Sequence, residues 1–217
     1  MDIAKEHLLE ALHARLDDDD EDDEDDFAPP AGSSRADTML ERYLLKARIL
    51  LVTGPVSDKL AQHCTSRLFA MEARDPKAPI TVMINSPGGS ADSGFAIFDL
   101  LRFVKPPVRT CVNGLCASAA ILIHLAGEKG ERFAMPHARF MIHQPSTMGQ
   151  GSASDLDITA QQVIRLREAY NSIIAKECGQ DEAQVLEHAR RDFWLNSVQA
   201  LEYGLIDKIV ANRSDFG

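Results

Sequence analysis

The sequence predicts an α/β fold built on a largely parallel sheet, and three observations predict it. Short apolar runs rich in branched residues alternate with longer amphipathic segments along most of the chain. Glycine-bearing turns, at Ser86 to Gly89 and Asn113 to Ser118, each follow an apolar run and precede an amphipathic one. The 181 residues after Ala36 are enough for one domain with a sizeable core. Strand–helix alternation of this kind leaves neighbouring strands parallel, because the return path is taken by a helix.

The elements follow in order. Met1 to Leu16 reads as a short amphipathic helix, with Leu8, Leu12 and Leu16 at i, i+4 and i+8 and Leu9 beside them. Asp17 to Asp26 is an unbroken run of ten carboxylates, which repel one another and stay extended and solvated. Phe27 to Ser34 (FAPPAGSS) is a linker. These zones make an acidic extension or propeptide of residues 1–36, followed by a body of residues 37–217. Thr38 to Lys46 reads as helix, Arg48 to Thr53 (RILLVT) as a buried strand, and Ser57 to Ala73 as helix. Ile80 to Asn85 (ITVMIN) is a strand ended by SPGGS, and Asp92 to Phe103 a helix. Val108 to Val112 is a strand that Asn113-Gly114 is expected to break, with a helix starting near Ser118. Arg139 to Gln144 (RFMIHQ) is a strand and Ser154 to Cys178 a long helix. Two short helices and a strand near Ile206 to Val210 complete the chain.

Charge is distributed unevenly. The 217 residues carry a formal net charge of −10. Of the 33 acidic and 23 basic side chains, 13 and 3 lie in the first 36 residues, which leaves 20 of each in the body. A formally neutral body excludes a nucleic-acid-binding surface driven by excess Lys and Arg. The most apolar stretch, Ala117 to Ala126, contains His124 and is far shorter than the roughly 20 residues that span a bilayer. No basic segment leads into an apolar core at the start, so no secretory signal is expected. Cys64, Cys111, Cys116 and Cys178 lack metal-ligand spacing and are expected to be reduced thiols in a cytoplasmic protein.

The two glycine turns match neither phosphate-binding fingerprint, but a strand-to-helix turn can also hold a developing oxyanion on its free N–H groups. Ser118 lies among small residues in GLCASAA. It reads either as a helix N-cap or as an exposed nucleophile at a strand's carboxyl end. His143, before Gln144-Pro145, reads either as a satisfied histidine or as a base. Asp192, in RRDFW, reads either as the partner of a neighbouring arginine or as an orienting carboxylate. Together the three supply the roles of a serine hydrolase triad, in the chain order Ser, His, Asp. That order differs from those of chymotrypsin, subtilisin and the α/β-hydrolases, and no GxSxG elbow is present.

INSPGGS (Ile84 to Ser90), CASAA (Cys116 to Ala120), MIHQP (Met141 to Pro145), RRDFWL (Arg190 to Leu195) and EYGLIDKI (Glu202 to Ile209) resemble the Clp protease proteolytic subunit, in the family's order and spacing. The resemblance covers about Tyr43 to Val210. It implies the ClpP/crotonase-like fold, a repeated β-β-α superhelix with a protruding strand–helix handle. It implies Ser118 as nucleophile, His143 as general base and Asp192 as its partner, with the amides of Gly89 and Ala119 as the oxyanion hole. Substrate is implied to bind as an added strand near Ser90 and along Pro145 to Gly151, including Gln150. Two stacked heptameric rings are implied, joined by the handle, where Asp155 or Asp157 meets Arg191. No metal or cofactor is implied in this subunit, and ATP is used by a partner AAA+ unfoldase that feeds unfolded polypeptide.

The sequence departs from the family at three places. Ser146-Thr147-Met148 stand before Gly149 where consecutive glycines are usual, Thr81 and Met83 replace aromatics before INSPGG, and the acidic run takes the place of an apolar axial segment. That run reads as a propeptide, an acidic gate or docking tail, or a solubilising tail. Two other functions fit the fold class: a crotonase-type acyl-CoA enzyme, which has no need of this Ser/His/Asp spacing, and a non-catalytic or conditionally active subunit of a mixed ring.

Overall fold

The computed structural model describes residues 35–216, so the helix, acidic run and linker expected before Arg35 lie outside the described residues. Residues 42–217 form one compact unit. Helix α1 (Arg35–Lys46) is the first described element. The remaining elements are β1 (Ile49–Thr53), α2 (Asp58–Arg74), β2 (Ile80–Ser86), α3 (Ala91–Phe103), β3 (Val108–Ala117), α4 (Ala119–Leu125), β4 (Arg132–Ala134) and β5 (Arg139–Ile142). They are followed by α5 (Ala153–Cys178), α6 (Glu182–His188), β6 (Phe193–Asn196), α7 (Ser197–Tyr203), β7 (Lys208–Ile209) and a 3₁₀ turn (Arg213–Phe216).

Five strands run in the order β1-β2-β3-β4-β7, all parallel. Strand β3 is long enough to serve two neighbours. Its first half pairs with β4, through Thr110 to Val112, and its second half with β5, through Leu115 to Ala117. β6 then pairs antiparallel with β5. One sheet face packs Leu50, Val52, Val82 and Ile84 into the core against α2, α3 and α4. Every residue of α4 is buried, which is why Ala117 to Ala126 is the most apolar stretch of the chain. His124 lies inside that helix and its Nε2–H donates to the Leu205 carbonyl at 3.1 Å. Burial, aided by the Arg132 charge, holds its pKa down to about 3, so the ring is neutral. The four cysteines are free thiols, and burial pushes those of Cys64 and Cys178 up to about 12, which disfavours the nucleophilic thiolate.

Two sequence expectations are corrected and two strands are added. Asn113-Gly114 does not break β3. The β2–β3 register runs Ile84↔Val112 and then Ser86↔Cys116, so the extra residues form a bulge and the strand continues to Ala117. Asn85 supports the bulge by accepting the Leu115 N–H at 3.0 Å, and a Cβ on Gly114 would lie 2.6 Å from the same oxygen. Strands β4 and β6, three and four residues long, had no separate signal in the sequence. The strand expected to reach Gln144 ends at Ile142, and residues 143–150 pair with no strand among the described residues.

The long helix α5 starts on a capping box, in which Ser152 Oγ accepts the Asp155 N–H and the Asp155 carboxylate accepts the Ser152 N–H. Its buried residues, Tyr170, Asn171, Ile174 and Ala175, all lie in its second half. The first half is exposed and carries Leu156, Ile158 and Ile164 on its surface.

Candidate active site

Strand register assembles the site. β3 and β5 are parallel with Ala117 opposite Met141, so their carboxyl ends deliver Ser118 and His143 to one edge. β5 and β6 are antiparallel with Ile142 opposite Phe193. One step beyond that pair, His143 faces Asp192. Ser118 Oγ lies 2.8 Å from His143 Nε2, and His143 Nδ1 lies 3.3 Å from Asp192 Oδ1. The Asp192 carboxylate therefore turns to the histidine rather than to an arginine beside it, and Arg190 pairs with Glu187 instead. Phe193 holds this end of β6 by stacking on His188, with ring centroids 4.4 Å apart.

Ser118 occupies the N-cap position of α4, but its side chain makes no cap bond and is free for His143. Its backbone takes φ +55° and ψ −126°, a conformation costly for a residue with a Cβ. The conformation is held from outside: Ser118 N–H donates to the Met141 carbonyl at 2.9 Å, and the Ser118 carbonyl accepts the Tyr170 hydroxyl at 3.1 Å. The sequence reading missed Tyr170, since a tyrosine on the apolar stripe of a long helix carries no signal beyond core packing.

The second wall is Pro87 to Ala91. Val56 pins it, donating its N–H to the Gly88 carbonyl and accepting the Ser90 N–H, each at 2.9 Å. Gly89 has φ +152°, and a Cβ on it would lie 2.3 Å from the Val56 oxygen. The need for glycine at position 89 thus comes from the Val56 backbone, not only from an approaching substrate. Gly88 is what meets Ser118: at φ +86° its Cβ would lie 2.5 Å from the Ala117 oxygen and 2.6 Å from Ser118 Cβ. Gly88→Ala is expected to lose about 1–2 kcal/mol from backbone conformation alone and to displace the Ser118 turn. Thermal unfolding of the variant measures the first and the peptidase rate the second. The N–H groups of Gly89 and Ala119 are taken by no acceptor among the described residues.

Between these walls lies a cleft of about 420 Å³, lined among others by Ser90, Phe95, Leu122, Pro145 and Tyr170 with Ser118 and His143. Ser90 is the N-cap of α3 and its N–H is already bonded to Val56, so it walls the cleft without offering that donor. Gln150 and Gly151 do not line the cleft; they precede α5, where a Cβ on Gly151 would lie 3.1 Å from Asp155 Cβ. Asp155 is held in the capping box, Asp157 accepts the Gln161 side-chain amide at 2.9 Å, and neither pairs with Arg191 within the chain. No group of three or more metal-ligating side chains occurs among the described residues. No helix among them is long and apolar enough to cross a membrane.

Residues 31–213 match the family model for Clp protease. The chain is 42% identical over 179 residues to the ATP-dependent Clp protease proteolytic subunit 2 of Treponema denticola, covering 82% of this chain and 89% of that one. Among solved structures it resembles a point mutant of ClpP1 from Listeria monocytogenes, with a TM-score of 0.76 and 37% identity, over 82% of this chain and 99% of that one. The mixed α/β architecture is accordingly the ClpP/crotonase-like one that the motifs implied. A parallel sheet ending in a serine-bearing turn, and likeness over four fifths of the length, lead to one conclusion: the chain belongs to the Clp protease family and is a Clp-type peptidase of the proteolytic-subunit kind.

Proposed function

We propose that this chain is a serine endopeptidase that degrades unfolded polypeptides to short peptides inside a self-assembled chamber. The observation that carries the reading is the 2.8 Å contact between Ser118 Oγ and His143 Nε2, with Asp192 on the other ring nitrogen. Ser118 Oγ attacks the scissile carbonyl while His143 Nε2 takes its proton, and Asp192 holds the ring and stabilises the imidazolium. The N–H groups of Gly89 and Ala119 donate to the oxyanion. His143 then protonates the leaving amine, and water, activated by His143, releases the acyl group from Ser118. The chemistry asks for no metal or cofactor in this subunit.

Assembly is part of the proposal. The exposed first half of α5, with Leu156, Ile158 and Ile164 on its surface, suits a ring-to-ring contact in a double heptamer. Asp155, Asp157 and Arg191 are the charged groups proposed to meet there between subunits. Residues Pro145 to Gly151, which pair with no strand among the described residues, are proposed as the backbone to which substrate adds as a strand. The proposed partner is a AAA+ unfoldase that consumes ATP, and the proposed compartment is the cytoplasm.

The test is covalent. A fluorophosphonate probe is expected to add to Ser118 in the full-length chain, located by peptide mass, and to leave Ser118→Ala unmodified. A folded, assembled wild-type chain that takes no label at Ser118 would overturn the reading and favour a non-catalytic subunit.

A further inference from the structure

We infer that Tyr170 is a positioning residue for the oxyanion site: its hydroxyl, donated from α5 to the Ser118 carbonyl, fixes the peptide plane that carries the Ala119 N–H. The inference rests on the serine-peptidase reading and adds to it a residue whose hydroxyl is spent on the Ser118 carbonyl rather than on Ser118 Oγ or His143. The carbonyl of Ser118 and the N–H of Ala119 belong to one planar peptide group and point in opposite directions. Whatever fixes the carbonyl therefore aims the N–H.

Two donors hold that carbonyl. One is the Ile121 N–H at 2.9 Å, from the first turn of α4 itself. The other is the Tyr170 hydroxyl at 3.1 Å, from a helix 52 residues along the chain. A turn residue at φ +55° relaxes unless its surroundings over-determine it. The local bond alone moves with the turn, whereas Tyr170 is anchored elsewhere. It is only 3% exposed, in the same core as Ile174 and Ala175. Burial raises its ionisation well above the ordinary phenol range, so the hydroxyl remains a donor. Donation to the carbonyl also polarises the amide and strengthens the N–H on its far side. The same helix carries the exposed half proposed to join the rings, so one rigid element links that contact to the Ala119 amide.

The test is Tyr170→Phe in the full-length chain, which removes one oxygen and leaves the ring in the core. Tyr203→Phe is the control: its hydroxyl is also packed in the core but bonds His188 Nδ1 at 3.2 Å, not the Ser118 turn. Native mass is checked for both, then kcat and KM on a fluorogenic peptide. Inhibition is compared for a peptide aldehyde, whose adduct with Ser118 places an oxygen in the oxyanion site, and for the matching alcohol, which forms no adduct. Tyr170→Phe is expected to lower kcat and aldehyde affinity by about tenfold, with KM and alcohol affinity within about twofold of wild type. Tyr203→Phe, whose lost hydroxyl bonds the His188 ring on which Phe193 stacks, is expected to leave the ratio of aldehyde to alcohol affinity within about twofold of wild type. A kcat for Tyr170→Phe within about twofold of wild type overturns the inference, as does equal weakening of aldehyde and alcohol. Should phenylalanine alter the native mass, Tyr170→Met is read by the same comparison. Ser118→Ala separates the two levels. If it is as active as wild type, the peptidase reading fails. If it is inactive while Tyr170→Phe is unimpaired, only the role of Tyr170 fails.

Discussion

His143→Ala is expected to lower kcat for a fluorogenic peptide by about 10⁴- to 10⁶-fold, and Ser118→Ala by a similar factor. The geometry explains the size of the loss. Ser118 Oγ has one strong partner, His143 Nε2, and on the proposed mechanism loss of that base at 2.8 Å leaves the hydroxyl to attack in its poorly nucleophilic neutral form. The two side chains act as a unit, so the double variant is expected to be no worse than either single one. Removing both leaves the amides of Gly89 and Ala119, and a residual rate of about 10³-fold over water is expected from them and from substrate binding. Steady-state assays at equal native mass measure all three variants. A double variant slower by the product of the two single losses would show that the pair does not work together. Activity of Ser118→Ala equal to wild type would remove the nucleophile altogether.

Motifs made the three residues visible, but no local feature decided between their alternative readings. A serine at a helix start, a histidine at a strand end and an aspartate beside two arginines each have an ordinary explanation. Register is what brings them together: Ala117 opposite Met141 and Ile142 opposite Phe193 carry three separated segments to one point. Register is a tertiary property, and β6, which begins directly after Asp192, is too short to announce itself by periodicity. The long elements were legible for the converse reason. Helices α2, α3 and α5 span 17, 13 and 26 residues, enough for an amphipathic stripe to repeat. The Asn113-Gly114 pair misled because it is a strong turn signal in isolation. Here the Asn85 side chain satisfies the Leu115 N–H, and the strand resumes beyond a bulge. Tyr170 and Gly88 were missed because what makes each matter is a neighbour distant in sequence: the Ser118 turn.

Glu177→Ala is expected to cost about 3–5 kcal/mol, lowering the melting temperature by roughly 10 °C. Arg132, 1% exposed, donates its Nε–H to the Gly127 carbonyl at 2.9 Å and one Nη to the Glu177 carbonyl at 3.2 Å, while the other Nη meets the Glu177 carboxylate. The same carboxylate oxygen takes Arg102 at 3.0 Å, and Arg102 also holds the Leu125 carbonyl at the end of α4. Removing the carboxylate strands a guanidinium that has almost no access to water, whereas Arg102, 40% exposed, can turn to solvent. The loss reaches the site, because this network ties α5 and β4 to the helix that Ser118 begins. Its pH dependence follows from the same contacts. Burial alone would raise the Glu177 pKa, but the Arg132 hydrogen bond and the charges of Arg132 and Arg102 outweigh it and lower the pKa below 4.5. A folded-state pKa below the unfolded one gives stability that is fully present above about pH 4.5 and is lost as pH falls through the folded value. The stability gap between wild type and Glu177→Gln, measured by urea unfolding from pH 7 downward, is therefore expected to be constant at first and to narrow below about pH 4.5. A gap that stays constant into acid would mean that Glu177 holds Arg132 by shape and hydrogen bonding without its charge.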